Sequence, residues 1–277
     1  MIRAETRIKI KGFLEGFLEA QLQQHKKQLT KEPEEVIRLA DAKKGKLKPF
    51  HLAILPPEAI RIFAFERSFS TSLGTTFEGC AKLIALDNHK EAERSKELVG
   101  KVSTKCLNEL ERVRSVIDGG KSIDFLQKIK AVIAANDAEE VPIRTITDLY
   151  LKTKSGKEFY FEIKSPKPNK GQAIEVTDRL LRTQALRRLG PPRVNTYFAM
   201  AYNPYGVRVN YKHSFAVKHL DMKNQILLQD EFWDIVGGKG TFTELLEIYR
   251  EVGKEKGRQV MDQLAYDGKT SRAQKRK

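Results

Sequence analysis

The chain is 277 residues long, 40% hydrophobic and 31% charged, which supplies enough apolar surface for a buried core and excludes a disordered polyampholyte. Its 51 Lys and Arg against 36 Asp and Glu leave a formal charge of +15, a field that attracts polyanions and points to nucleic acid as partner without naming a reaction. Two cysteines, Cys80 and Cys106, exclude a disulfide framework and lack the paired spacing of a zinc site. With no apolar leader and no run of ~18 apolar residues, a cytoplasmic protein away from the membrane is expected.

Ile8, Phe13, Phe17, Leu18 and Leu22 recur at roughly helical spacing, so residues 5 to about 29 read as an amphipathic helix. The polar stretch through Lys43-Lys44-Gly45-Lys46-Leu47-Lys48-Pro49 is a connector, either touching phosphate or simply solvated. Glu58 to Phe65 reads as the start of a helix, followed by the small residues Ser68 to Gly74. A new helix is expected from Thr75, where Phe77, Ala81, Ile84 and Ala85 share one face and Glu78 and Lys82 a neighbouring stripe. Another charged helix is expected from Lys90 to about Val116.

The period then changes. Ile143 to Leu151 and Glu158 to Lys164 are β-branched or aromatic runs on either side of Lys154-Ser155-Gly156-Lys157, the pattern of a hairpin. Ala173 to Leu189 reads as a helix stopped by Gly190-Pro191-Pro192, and Val194 to Tyr202 as a buried strand ended by Asn203-Pro204-Tyr205-Gly206. Strand, strand, helix, strand predicts an α/β core.

Within the hairpin, Asp148 is followed at a distance by Glu162-Ile163-Lys164. Glu162 and Lys164 are two apart on a strand and share a face, while Phe161 and Ile163 point to the other. Asp148 joins them only in one register. A two-residue Ser155-Gly156 turn sets it opposite Ile163, whereas a three-residue loop, Lys154-Ser155-Gly156, closes Thr153 on Lys157 and sets it opposite Glu162, with Gly156 left-handed. The three-residue loop is therefore expected. Asp148 and Glu162 then supply hard oxygen ligands suited to Mg²⁺, which polarises a phosphodiester and acidifies water, while Lys164 orients that water or neutralises charge developing on phosphate. A surface hairpin with a plain charge ladder is the alternative that spacing leaves open.

Ile146-Thr147-Asp148-Leu149 followed by Phe161-Glu162-Ile163-Lys164-Ser165-Pro166-Lys167-Pro168-Asn169 resembles the PD-(D/E)XK nuclease core of type II restriction endonucleases, with Thr147 where proline commonly precedes the acid. The stretch Phe69 to Glu78 and the total length resemble the TdeIII group in particular. The resemblance implies a restriction-endonuclease-like mixed β-sheet flanked by helices, Mg²⁺-dependent hydrolysis of double-stranded DNA leaving 5′-phosphates, and a homodimer cutting a short palindrome, GGNCC for this group. It also implies an acidic ligand on the helix before the core, where Glu78 matches; an ordinary pair with Lys82 is the other reading of that residue. Two rivals keep the fold: a structure-specific repair or recombination nuclease, and a catalytically silent nucleic-acid binder.

The segment from Ser165 to Arg193 holds seven basic residues and two acids. Lys167, Lys170, Gln172, Arg179 and Arg182 are candidate DNA contacts there, with Asn203 and Arg208 in the loop after the next strand. Gln172 reads first as a capping or exposed glutamine, and turn chemistry accounts for Asn203. Gly237-Gly238-Lys239-Gly240-Thr241 lacks the spacing of a phosphate loop, so no nucleotide cofactor is expected. The five histidines show no metal spacing, and Trp233 reads as the anchor of a late helix. The expected organisation is an N-terminal helical region over 1–57, a nuclease core with recognition elements over 58–265 and a basic tail over 266–277.

Overall fold

The computed structural model describes residues 2–29, 49–55 and 57–266; the basic tail and the Lys43 to Lys48 connector lie outside them. The chain falls into two compact units, one built from Phe77–Leu245 with the N-terminal residues to Thr6, the other from Arg7–Thr76 and the chain from Leu246 onward.

The second unit is helical. It takes in most of α1 (Ala4–Leu29), the short α2 (Pro49–Ile54), the first part of α3 (Pro57–Asn88) and most of α9 (Thr241–Tyr266). Lys11 and Glu255 pair at 2.6 Å and Lys256 and Glu19 at 2.9 Å, joining α1 to α9. The buried stripe of α1 in this unit is Ile10, Leu14, Gln21 and Leu22. Ile8, at 71% exposure, and Phe13 lie off it, because the hydrophobic pattern of α1 is broad and only packing selects one edge.

α3 is one continuous helix, not two. Its small residues stay helical because their hydroxyls bond back along the turn: Thr71 to the Arg67 carbonyl at 2.8 Å, Thr75 to Ser72 at 2.7 Å and Thr76 to Leu73 at 2.6 Å. Pro57 at the first position needs no amide partner.

The first unit holds a five-stranded sheet in the order β1-β2-β3-β4-β5, formed by β1 (Glu91–Ser103), β2 (Glu140–Lys152), β3 (Glu158–Lys164), β4 (Val194–Met200) and β5 (Ile226–Leu228). The first three strands are antiparallel neighbours and the last three parallel, with α6 (Lys170–Arg187) crossing from β3 to β4. This is the expected mixed α/β sheet flanked by helices. Residues 91–103, however, form a strand where a charged helix was expected. Exposure alternates along them with period two, but charges stand at so many positions that the alternation is not hydrophobic. That composition suits an edge strand.

On one face, Phe198 and Met200 of β4 are buried with Val176, Leu180 and Leu181 of α6, Leu110 and Val113 of α4 (Thr104–Asp118), and Phe125 and Ile129 of α5 (Phe125–Ala134). Each such side chain contributes about 1.5–3 kcal/mol on burial. On the other face, Phe161 meets Phe232 of α8 (Asp230–Gly237) edge-on at 5.2 Å, and Trp233 anchors α8 by donating to the Ala201 carbonyl at 2.7 Å. A Cβ at Gly237 would come within 2.4 Å of Ile84, so close packing on α3 accounts for that glycine. No helix among the described residues is long and apolar enough to cross a membrane.

Candidate active site

The site begins with a turn. Thr153 donates its amide to the Lys157 carbonyl at 2.8 Å, Gly156 donates to Thr153 at 3.0 Å, and Gly156 has φ +85°. The expected three-residue loop is thus present, and the ladder it starts runs Lys152 with Glu158 to Leu149 with Phe161. One step further, that register sets Asp148 opposite Glu162.

The ladder stops at that step. Asp148 has no paired residue in β3, and the β1 ladder skips the Ser95 position opposite it, where Ser95 has φ +52°. Side chains take over the missing strand-to-strand bonds. Thr147 donates its hydroxyl to the Phe161 carbonyl at 2.9 Å, and Asp148 Oδ2 accepts the Ile163 amide at 2.8 Å. The inward faces also change here. Ile143 belongs to the cluster under α6, whereas Leu149, of the same parity, pairs with Phe161 on the opposite face. This kink leaves the Asp148 carboxylate free of the ladder and turned toward Lys164.

Lys164 Nζ is 2.8 Å from Asp148 Oδ2 and 3.7 Å from Glu162 Oε2. Glu162 is 1% exposed, covered by α6. That helix starts immediately after β3 because Asn169 and Gln172 form a reciprocal capping box. From α6, Arg179 Nη1 reaches Glu162 Oε2 at 3.2 Å while its other nitrogen bonds Glu175.

Burial, and then the Asp148 charge, push the Glu162 carboxyl up to about 8 against the pull of Lys164 and Arg179. Burial by itself lowers the Lys164 ammonium, yet Asp148 and Glu162 outweigh it and hold it above its ordinary value. Two close carboxylates, one of them buried and costly to ionise, form a hard oxygen pair whose repulsion a divalent cation relieves, so these residues fit such an ion. The set is a pair: among the described residues no three His, Cys, Asp or Glu side chains converge as a metal cluster. Glu78 pairs not with Lys82 but with Arg94, at 2.8 Å and 3.2 Å.

A family model described as type II restriction endonuclease, HinfI, matches residues 4–253. The chain belongs to this family. Among curated relatives of this HinfI-type enzyme, the type II restriction enzyme HgiCII of Herpetosiphon aurantiacus is 40% identical over 268 residues, covering 94% of this chain and 97% of the relative. HgiEI and HgiBI of the same organism are each 38% identical over the same shares. The resemblance read from the Asp148 and Glu162-Ile163-Lys164 motifs is therefore to the right class, and the protein is a site-specific endonuclease by family.

In this HinfI-type chain the candidate DNA contacts fall into two groups. Lys167 lies exposed over the Tyr205 ring at 5.8 Å and Lys170 pairs with Asp118 at 2.7 Å, both beside the start of α6, whereas Arg182, in its second half, pairs with Asp178 at 2.6 Å. Gln172 is engaged in the cap. Asn203 is buried and accepts the Tyr205 amide at 3.0 Å, a turn role. Arg208 bonds Glu231 and donates to the Met222 and Ile226 carbonyls at 2.9 Å and 2.8 Å, locking its loop from within. The sequence offered Arg179 as a DNA contact and missed its bond to Glu162; its spacing of four from Glu175 was the available signal. It gave no sign of the Ser95 kink.

Proposed function

We propose that the chain hydrolyses phosphodiesters of double-stranded DNA at a short palindromic site, with Mg²⁺, leaving 5′-phosphates and acting as a homodimer. The resemblance to the TdeIII group makes GGNCC the first sequence to try. The observation that carries this reading is the convergence of Asp148, Glu162 and Lys164, with 2.8 Å from Lys164 Nζ to Asp148 Oδ2. Binding by itself has no use for a carboxylate pair, which repels phosphate, and the resting pair here is held together by cations.

In this reading Asp148 and Glu162 hold the ion, with Glu78 as an accessory acid once released from Arg94. A bound Mg²⁺ supplies positive charge against the phosphate and acidifies water. Asp148 is oriented by the Ile163 amide and the Lys164 ammonium, both on Oδ2, which leaves Oδ1 for the ion. Lys164 places its ammonium beside the attacked phosphate and neutralises the charge that builds there. Lys167, Lys170 and Gln172 at the start of α6, with Arg182 further along it, follow the phosphate backbone. Asn203 and Arg208 fix the loop after β4 and act through it.

Digestion of a mapped plasmid tests this directly, with EDTA and Asp148→Ala as controls. Discrete fragments that need Mg²⁺ are expected. A smear, or cutting only at branches, overturns the site-specific reading in favour of a repair nuclease; wild-type protein that never cuts overturns the catalytic one. A protein that sediments as a monomer at micromolar concentration, with and without DNA, overturns the homodimer.

A further inference from the structure

Arg179 has two carboxylates within reach, Glu162 of β3 and Glu175 of its own helix. Resting on the metal reading above, we propose that Arg179 is a positioning residue. It stands in for the divalent ion on Glu162 in the metal-free enzyme and gives up that carboxylate when ion and DNA arrive together.

Glu162 is 1% exposed, and its ionised form, buried that deeply, needs a cation beside it. Lys164 is committed to Asp148 at 2.8 Å and only approaches Glu162 at 3.7 Å. Arg179, at 3.2 Å, is the cation within hydrogen-bond distance of Glu162. It is also the one with somewhere else to go. Its side chain is 37% exposed and Glu175 is 55% exposed, so rotation toward Glu175 carries the guanidinium to the outer side of α6 without moving the helix.

Charge balance sets the order of events. With both carboxyls ionised, Asp148 and Glu162 against Lys164 and Arg179 sum to zero, so a divalent ion entering alone leaves a surplus of two positive charges. A DNA phosphate entering with it takes up part of that surplus and offers the released guanidinium a planar pair of oxygens. Ion and DNA therefore strengthen each other's binding, and by linkage the coupling is reciprocal.

Mn²⁺ serves as the probe, titrated by electron paramagnetic resonance into the full chain with and without a phosphorothioate duplex that resists cleavage. Arg179→Met is expected to bind Mn²⁺ on the order of tenfold more tightly than wild type without DNA, and to lose a similar factor of the gain that the duplex confers. An unchanged or weaker affinity without DNA overturns the handover alone. Failure of wild type to bind Mn²⁺ under either condition overturns the metal reading with it. A melting series on metal-free protein above pH 8, where Glu162 is ionised, separates the pairing from misfolding: Arg179→Met is expected to lower Tm in the wild-type background and much less in Glu162→Gln. Equal losses in both backgrounds overturn the pairing itself.

Discussion

Lys164 holds Asp148 through the same carboxylate oxygen that accepts the Ile163 amide, each contact at 2.8 Å. Backbone and side chain thus orient one carboxylate, and the two can be separated by mutation. Lys164→Ala is expected to bind duplex DNA nearly as well as wild type and to cut it about 10²–10³-fold more slowly, the usual loss when a group stabilising transition-state charge is removed. Single-turnover cleavage beside a mobility-shift assay checks this; normal cutting removes Lys164 from the mechanism.

Glu162 gives the metal-free fold a pH dependence of definite sign. Its carboxyl rises from 4.5 to about 8, with burial the leading cause. Between those values the folded chain keeps a proton that the unfolded chain has released, so the contribution is present at low pH and lost as pH rises through about 8. Thermal melts of the metal-free protein across that window should therefore fall with pH, and Glu162→Gln should flatten the slope. A slope identical in both proteins refutes the assignment.

The loop that sets the register can be altered in two ways. Gly156→Ala places a Cβ at φ +85° and is expected to cost about 1 kcal/mol or more in urea denaturation while leaving the register intact. Deleting Ser155 leaves a two-residue Lys154-Gly156 turn that still closes Thr153 on Lys157 and keeps Asp148 opposite Glu162, so cleavage is expected to survive whatever stability is lost; folded protein without cleavage refutes this. Ser95→Gly relieves a φ of +52° and should be neutral or stabilising by up to about 1 kcal/mol.

Arg208 separates structure from recognition. Its guanidinium serves Glu231 and two carbonyls, so Arg208→Ala should lower stability by about 1–3 kcal/mol. Lys167→Ala, which gives up one exposed cation over Tyr205, should leave stability unchanged and weaken DNA binding with a shallower salt dependence. If the losses are reversed, the two residues have exchanged roles.

The hairpin, α6, β4 and the burial of Trp233 were legible in the sequence because hydrophobic period and turn chemistry agreed there. The position of Asp148 opposite Glu162 followed from requiring Asp148, Glu162 and Lys164 to share a face, which selected the three-residue loop. β1 was not legible, because an edge strand carrying Glu91, Glu93, Arg94, Lys96 and Glu97 has the composition of a charged helix. The unity of α3 was hidden because Ser and Thr hydroxyls that bond within a helix look like a break. Arg179 was marked as basic, but its partner Glu162 lies across a crossover that spacing along one chain does not resolve.

The rung where Asp148 leaves the ladder turns a main-chain hydrogen into a reporter. The Ile163 amide gives its hydrogen to a carboxylate instead of a carbonyl, so its exchange with solvent should follow the charge and occupancy of Asp148 while the surrounding amides of β3 follow the fold. Hydrogen exchange at that single position would then register an ion entering the site before any DNA strand is cut.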